Sequence, residues 1–139
     1  MNNIKRRDMH EMAMKAVYDE LTYVHMGEEV DVKKAVEAAT ELPYDEAPRF
    51  VKEQAIAALK YLDEAINAIQ SHMRGWTFER LDRVEQAILI NAYNHFFHVE
   101  EGIDKKIVIN NAVELAKNYL EEKDYRFVNA ILDNILVRA

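Results

Sequence analysis

The stretch from Lys105 to Val137 sets the terms for the rest of the chain, because it reads as two amphipathic helices back to back. In the first, Ile109, Ala112, Val113 and Ala116 recur at the spacing of one helix face. In the second, Phe127, Ile131 and Ile135 run beside Val128 and Leu132 down one broad side. Asp124, which follows a Glu-Glu-Lys run, is placed to cap the second helix by accepting from a free N–H of its first turn. Two apolar faces this wide cannot stay in water, so the remaining residues have to cover them.

The bulk properties say how. The chain has 139 residues with half of them apolar, enough for one core in one domain spanning 1–139. Only three glycines and two prolines are present, which disfavours a turn-rich β fold and favours long helices with short connections. No cysteine occurs, so disulfides and thiolate metal sites are excluded. The first residues are charged, and no run of about eighteen apolar residues offers a membrane span. The expectation is a soluble cytoplasmic protein with no membrane partner. Its formal net charge of −7 disfavours indiscriminate attraction to phosphate, so nucleic-acid binding would need a local basic patch.

Read in order, the spacing predicts a helix from Ile4 to about Val24, with Met9, Ala13, Ala16, Val17, Leu21 and Val24 on one side. Lys5, Arg6 and Arg7 crowd its start, where cations oppose the helix dipole. Charge placed against helix stability points to an anionic ligand; the plainer reading is a solvated tail. Gly27 ends this helix, a short one follows from Val30 to Leu42, and Pro43 stops it. From Pro48 to Met73 the apolar spacing continues without a break, predicting one helix of about 25 residues and about 38 Å. Gly75 caps it, Thr77 opens a short turn carrying Phe78 and Leu81, and another helix runs from Val84 to about Val99. The whole is an all-α bundle of six or seven helices.

Motifs for chemistry are scarce. His95 and His98 stand one helical turn apart, but Glu100 and Glu101 follow the helix end without fixed geometry, so the pair reads as two partly exposed histidines rather than metal ligands. His10-Glu11 begins a metalloprotease-like pattern whose second histidine position holds Met14. There is no phosphate loop, nucleophile elbow or dinucleotide fingerprint, and hence no catalytic residue, metal or cofactor to assign. Asn91, Asn94, Asn110, Asn111 and Asn129 stand inside helices, where asparagine is mediocre; they cap, bridge or face water, or meet a ligand.

A set of segments nevertheless carries a resemblance. Trp76, Arg80-Leu-x-x-Val-Glu-x-Ala-Ile-Leu, Ala92-Tyr93, Ile109-Asn-x-Ala-Val-Glu-Leu-Ala-Lys and Arg126-Phe-Val-Asn-x-Ile-Leu-Asp follow in order, with Arg6-Arg7 and Ala13-x-x-Ala-x-Tyr18 ahead of them. In these the chain resembles the NusB family of bacterial transcription antitermination factors. The resemblance implies a helical bundle of two packed halves that catalyses no reaction. It also implies pairing with the small-subunit ribosomal protein that doubles as NusE, binding to single-stranded boxA-like leader RNA, and indirect association with other Nus factors and RNA polymerase.

Carried over by position, the RNA-binding set is Lys5, Arg6, Arg7, His10, Tyr18, Lys117, Lys123 and Arg126, and the partner edge holds Glu79 and Glu85. Arg7, Met14 and Tyr18 fall on one edge of a helical wheel, and cations beside an aromatic platform suit single-stranded RNA. The chain departs from the family pattern at Asp8 and His10, where arginines are common, and at Asp104, Asn111 and Ala130. Two alternatives stay open: a divergent helical interaction module, homodimeric and with little RNA binding, and, last, the accessory domain of a ribosomal RNA methyltransferase.

Overall fold

The computed structural model describes residues 3–138. Among them are seven α-helices: α1 (Arg6–His25), α2 (Val32–Thr40), α3 (Arg49–Lys60), α4 (Leu62–Gln70), α5 (Arg83–Asn94), α6 (Lys105–Tyr119) and α7 (Glu122–Ile135). Single 3₁₀ turns precede α3 and α5, at Tyr44–Glu46 and Phe78–Arg80, and a π-helical turn, His95–Val99, extends α5.

Short polar side chains start several of these helices. Asp31, Asp82 and Asp104 accept backbone N–H bonds at 3.1, 2.8 and 2.9 Å to open α2, α5 and α6, satisfying donors that have no partner inside the helix. Gly27, at positive φ, directly follows the end of α1, as the sequence predicts, whereas α4 stops at Gln70 with Ser71 as its C-cap, so Gly75, also at positive φ, turns the chain five residues further on and does not cap the helix. The start of α7 differs from expectation. Glu121 takes the N-cap position, and Asp124, three residues on, accepts from the Glu121 N–H at 3.2 Å, so Asp124 closes a capping box and is not itself the cap.

The predicted single helix from Pro48 to Met73 is two. At Tyr61 the backbone leaves helical geometry (φ −113°, ψ 23°), separating α3 from α4. No proline or glycine causes the break. The Tyr61 ring instead stacks on His98 at 3.5 Å, nearly parallel, and His98 in turn bonds Glu64 of α4. The residue at the joint is thus held by the π-helical turn, from far along the chain.

α5 lies at the centre, with every residue from Glu85 to Asn94 buried. α1 and α3 pack on one side of it, and α4, α6 and α7 on others. The larger apolar cluster joins Val17 and Leu21 of α1, Ile69 of α4, Ile88 to Ile90 of α5, and Ala112, Ala116, Val128, Ile131, Leu132 and Ile135 of the terminal hairpin. A smaller one, Ala16, Val36, Ala47, Val51 and Ala55, fastens α2 and α3 to the other side of α1. The hairpin faces read from the sequence are therefore covered mainly by α5. No helix among the described residues is long and apolar enough to cross a membrane.

Candidate nucleic-acid and partner interface

The first turn of α1 projects its cations outward. Lys5 takes the N-cap position with no side-chain hydrogen bond, and Lys5, Arg6 and Arg7 are exposed. Arg6 is nonetheless engaged: its guanidinium lies 4.4 Å over the Phe50 ring and donates to Glu100 Oε1 at 3.1 Å. His95 Nε2 meets the same oxygen at 3.0 Å, and this bond, before the cationic neighbours, holds the Glu100 carboxyl below its ordinary range. Glu100 is thus fixed from two sides, which the sequence did not suggest. Arg7 borders a shallow depression between α1 and α6 with Asp8, Glu11, Leu115 and Asn118, and among the described residues it has no carboxylate within ion-pair distance.

Two residues expected on this surface are not there. His10 is only 9% exposed and sits against Phe50 and His95, at 4.8 and 5.5 Å between ring centres. Burial, then the neighbouring His95 and Arg6, lowers its pKa to about 4, so it is neutral at ordinary pH and offers RNA no charge. Met14 is buried in the core as well, so Arg7 and Tyr18 do not share a continuous edge through it. Tyr18 itself is 41% exposed. His95, expected to be partly exposed, is buried, because the π-helical turn directs it beneath α1 and α3.

The α6–α7 turn lies beside α1, since Tyr119 donates to Glu11 at 2.6 Å. That bond is the main reason the Tyr119 hydroxyl pKa is pushed up to about 12. Lys117, Lys123 and Arg126 are exposed around the turn, as expected. Each has a carboxylate close by: Glu114 at 3.9 Å, Glu121 at 3.9 Å and Glu122 at 3.0 Å. Pairs this exposed contribute little to stability.

The two glutamates assigned to the partner edge differ in character. Glu79 is exposed, on the 3₁₀ turn before α5. Glu85 is 3% exposed, and burial, followed by repulsion from Asp124 and Asp82, raises its pKa to about 7. It forms the floor of a cleft lined by Trp76, Leu81, Asp82, Asp124 and Phe127 together with two cations, Arg80 and Lys123, so that Lys123 borders this cleft as well as the α6–α7 turn. The indole of Trp76, 41% exposed, lies 5.9 Å from the Phe127 ring. Sequence reading overlooked these two aromatics as site residues, although a solvent-facing tryptophan is itself a signal of an unfilled interface.

The sequence pattern that defines the NusB family matches residues 52–137, from α3 to the end of the terminal hairpin. The chain belongs to the NusB family. The transcription antitermination protein NusB of Bacillus mycoides is 31% identical over 132 residues, which span 95% of this chain and 97% of that protein. The structure of T. maritima NusB aligns with a TM-score of 0.78 at 24% identity, covering 97% of this chain and 92% of that one. A crystal structure of antitermination factors NusB and NusE in complex with dsRNA aligns at 0.73, with 21% identity and coverage of 94% and 95%. The NusB pattern takes in Glu79, Glu85, Lys117, Lys123 and Arg126, while α1 and its cations fall in the part that only whole-length relatives align.

Proposed function

We propose that this NusB-family protein is an RNA-binding subunit of a cytoplasmic transcription antitermination complex, without catalytic activity. The observation that carries this reading is its match, along nearly the whole chain, to a protein named for transcription antitermination. RNA docks where the open N-terminus of α1 meets the α6–α7 turn, on Lys5, Arg6, Arg7, Tyr18, Lys117, Lys123 and Arg126. Free N–H groups and the positive end of the helix dipole favour a phosphate there. The preferred RNA is a single-stranded boxA-like segment, whose unstacked bases have Tyr18 to lie against. The small-subunit ribosomal protein NusE docks on the cleft of Trp76, Phe127 and Glu85 and reaches Glu79 on the adjoining 3₁₀ turn, outside that cleft, where carboxylates suit a basic surface. Other Nus factors and RNA polymerase are reached through that assembly.

A second reading is favoured by the carboxylates standing beside Arg6, Lys117, Lys123 and Arg126. On it, the bundle is a protein-interaction module, homodimeric and with little affinity for RNA. One experiment separates them: fluorescence anisotropy of labelled boxA-like RNA, single-stranded and duplex, with and without NusE, at two salt concentrations. The first reading expects weak binding alone, tighter binding with NusE, preference for the single strand and a steep loss with salt, by about 0.7 power of salt per phosphate contacted. Self-association that excludes NusE, with no RNA binding in any arm, refutes it.

A further inference from the structure

Beneath the first two turns of α1 lies a small cavity, mostly apolar but with several polar side chains at its edge, that none of the proposed roles uses. It is bordered by His10 and Ala13 of α1, Gln54 of α3, Asn91 of α5, His95, and Asn111 of α6, with apolar walls between them. Gln54 gives its amide N–H to the Asn91 carbonyl at 3.0 Å, which leaves the Gln54 side-chain oxygen without a protein partner. Both side-chain polar atoms of Asn91 and the Nε2 of His10 are likewise unpaired with protein and closed off from bulk solvent. Gln54 is 1% exposed, and Asn91 and His10 are 9% exposed. Leaving four such atoms unbonded would cost about 1–3 kcal/mol each, too much to be tolerated for no return.

Size decides what satisfies them. The cavity offers about 20 Å³ to the centre of a water-sized sphere. One water needs about 10–15 Å³ by that measure, together with two to four polar partners. A nucleobase or any organic ligand is far too large. Among the described residues no group of three or more His, Cys, Asp or Glu is arranged to hold a metal ion. We infer that His10, Gln54 and Asn91 form a binding site for one internal water molecule that ties α1 to α3 and α5. The water donates to the Gln54 oxygen, bonds one polar atom of the Asn91 amide, and meets His10 Nε2 with whichever partner the neutral imidazole requires, so it serves three of the four atoms. His10 stands one turn below Arg6, so the bridge also fixes the part of α1 that carries the cations.

Water magnetic relaxation dispersion and a high-resolution crystal structure of the intact protein test this. The expected result is one water oxygen within hydrogen-bond distance of Gln54 Oε1 and the Asn91 amide. In the dispersion, one long-lived water's amplitude should be lost in Asn91→Leu and in Gln54→Met. A cavity found dry, with the two amides bonded directly to protein groups, overturns the inference, as do folded variants that keep the full dispersion amplitude. Should either variant not fold, the electron density of the unaltered protein decides alone.

Discussion

Glu20 sits on α1 with no exposure to solvent and without a protein hydrogen bond to either carboxyl oxygen. Burial, with a smaller push from Asp19, raises its pKa to about 9. The folded protein therefore holds Glu20 protonated while the unfolded chain ionises it at an ordinary value. The sign follows: its contribution is intact below about pH 4.5 and drains away as the pH rises toward 9. Glu20→Gln, neutral at every pH, should raise stability at pH 8 by on the order of 1–3 kcal/mol and flatten that slope. Thermal unfolding across pH checks it, and an unchanged slope would reassign the effect. Glu100 acts on a different property. Its exposed pair with Arg6 is worth about 0.2–1 kcal/mol, so Glu100→Gln should free the guanidinium and tighten boxA-like RNA binding by up to about fivefold. Anisotropy titration against the unaltered protein measures this, and a weakened complex would mean that Glu100 positions Arg6 for RNA instead of withholding it.

The helices themselves carry the next set of consequences. The joint between α3 and α4 depends on one stacked ring, so Tyr61→Ala should cost about 1–2 kcal/mol in urea unfolding whereas Tyr61→Phe should cost little. Equal losses in both would place the joint's stability elsewhere. In the aromatic cleft between α5 and α7, Glu85 stays partly protonated near pH 7. A basic partner that binds the carboxylate form will gain affinity as the pH rises from about 6 to 8, with proton release on binding. Calorimetry in buffers of different ionisation enthalpy reads that release directly. These elements also show what a sequence discloses. An all-α bundle of six or seven helices, and the buried face of Ile109, Ala112 and Ala116, followed from apolar periodicity and the shortage of glycine and proline. The break at Tyr61 did not, because the ring stacked on Tyr61 belongs to His98, thirty-seven positions away, and no local residue marks it. For the same reason the exposed cations Arg6 and Arg7 were legible as charges, but the burial of His10 was not. It is created by Phe50 and His95, which arrive from other helices. The capture of Arg6 by a carboxylate 94 positions later was equally out of reach.

Across the whole molecule, a net charge of −7 surrounds two small cationic areas, so their attraction for RNA is local and falls off within about one Debye length. Association with a basic protein, by contrast, is assisted by the entire surface, which makes the protein partner the natural first arrival. α5 supplies the last consequence. Helices from both ends of the chain rest on it, and its ten residues from Glu85 to Asn94 have no outward face. No outer element can loosen it alone, so its amide hydrogens should trade with deuterium only when everything opens at once, setting the slowest clock in the protein. The free end of α1 and the α6–α7 turn should keep a much faster one, which leaves the rim proposed to meet RNA free to adjust while the axle stays shut.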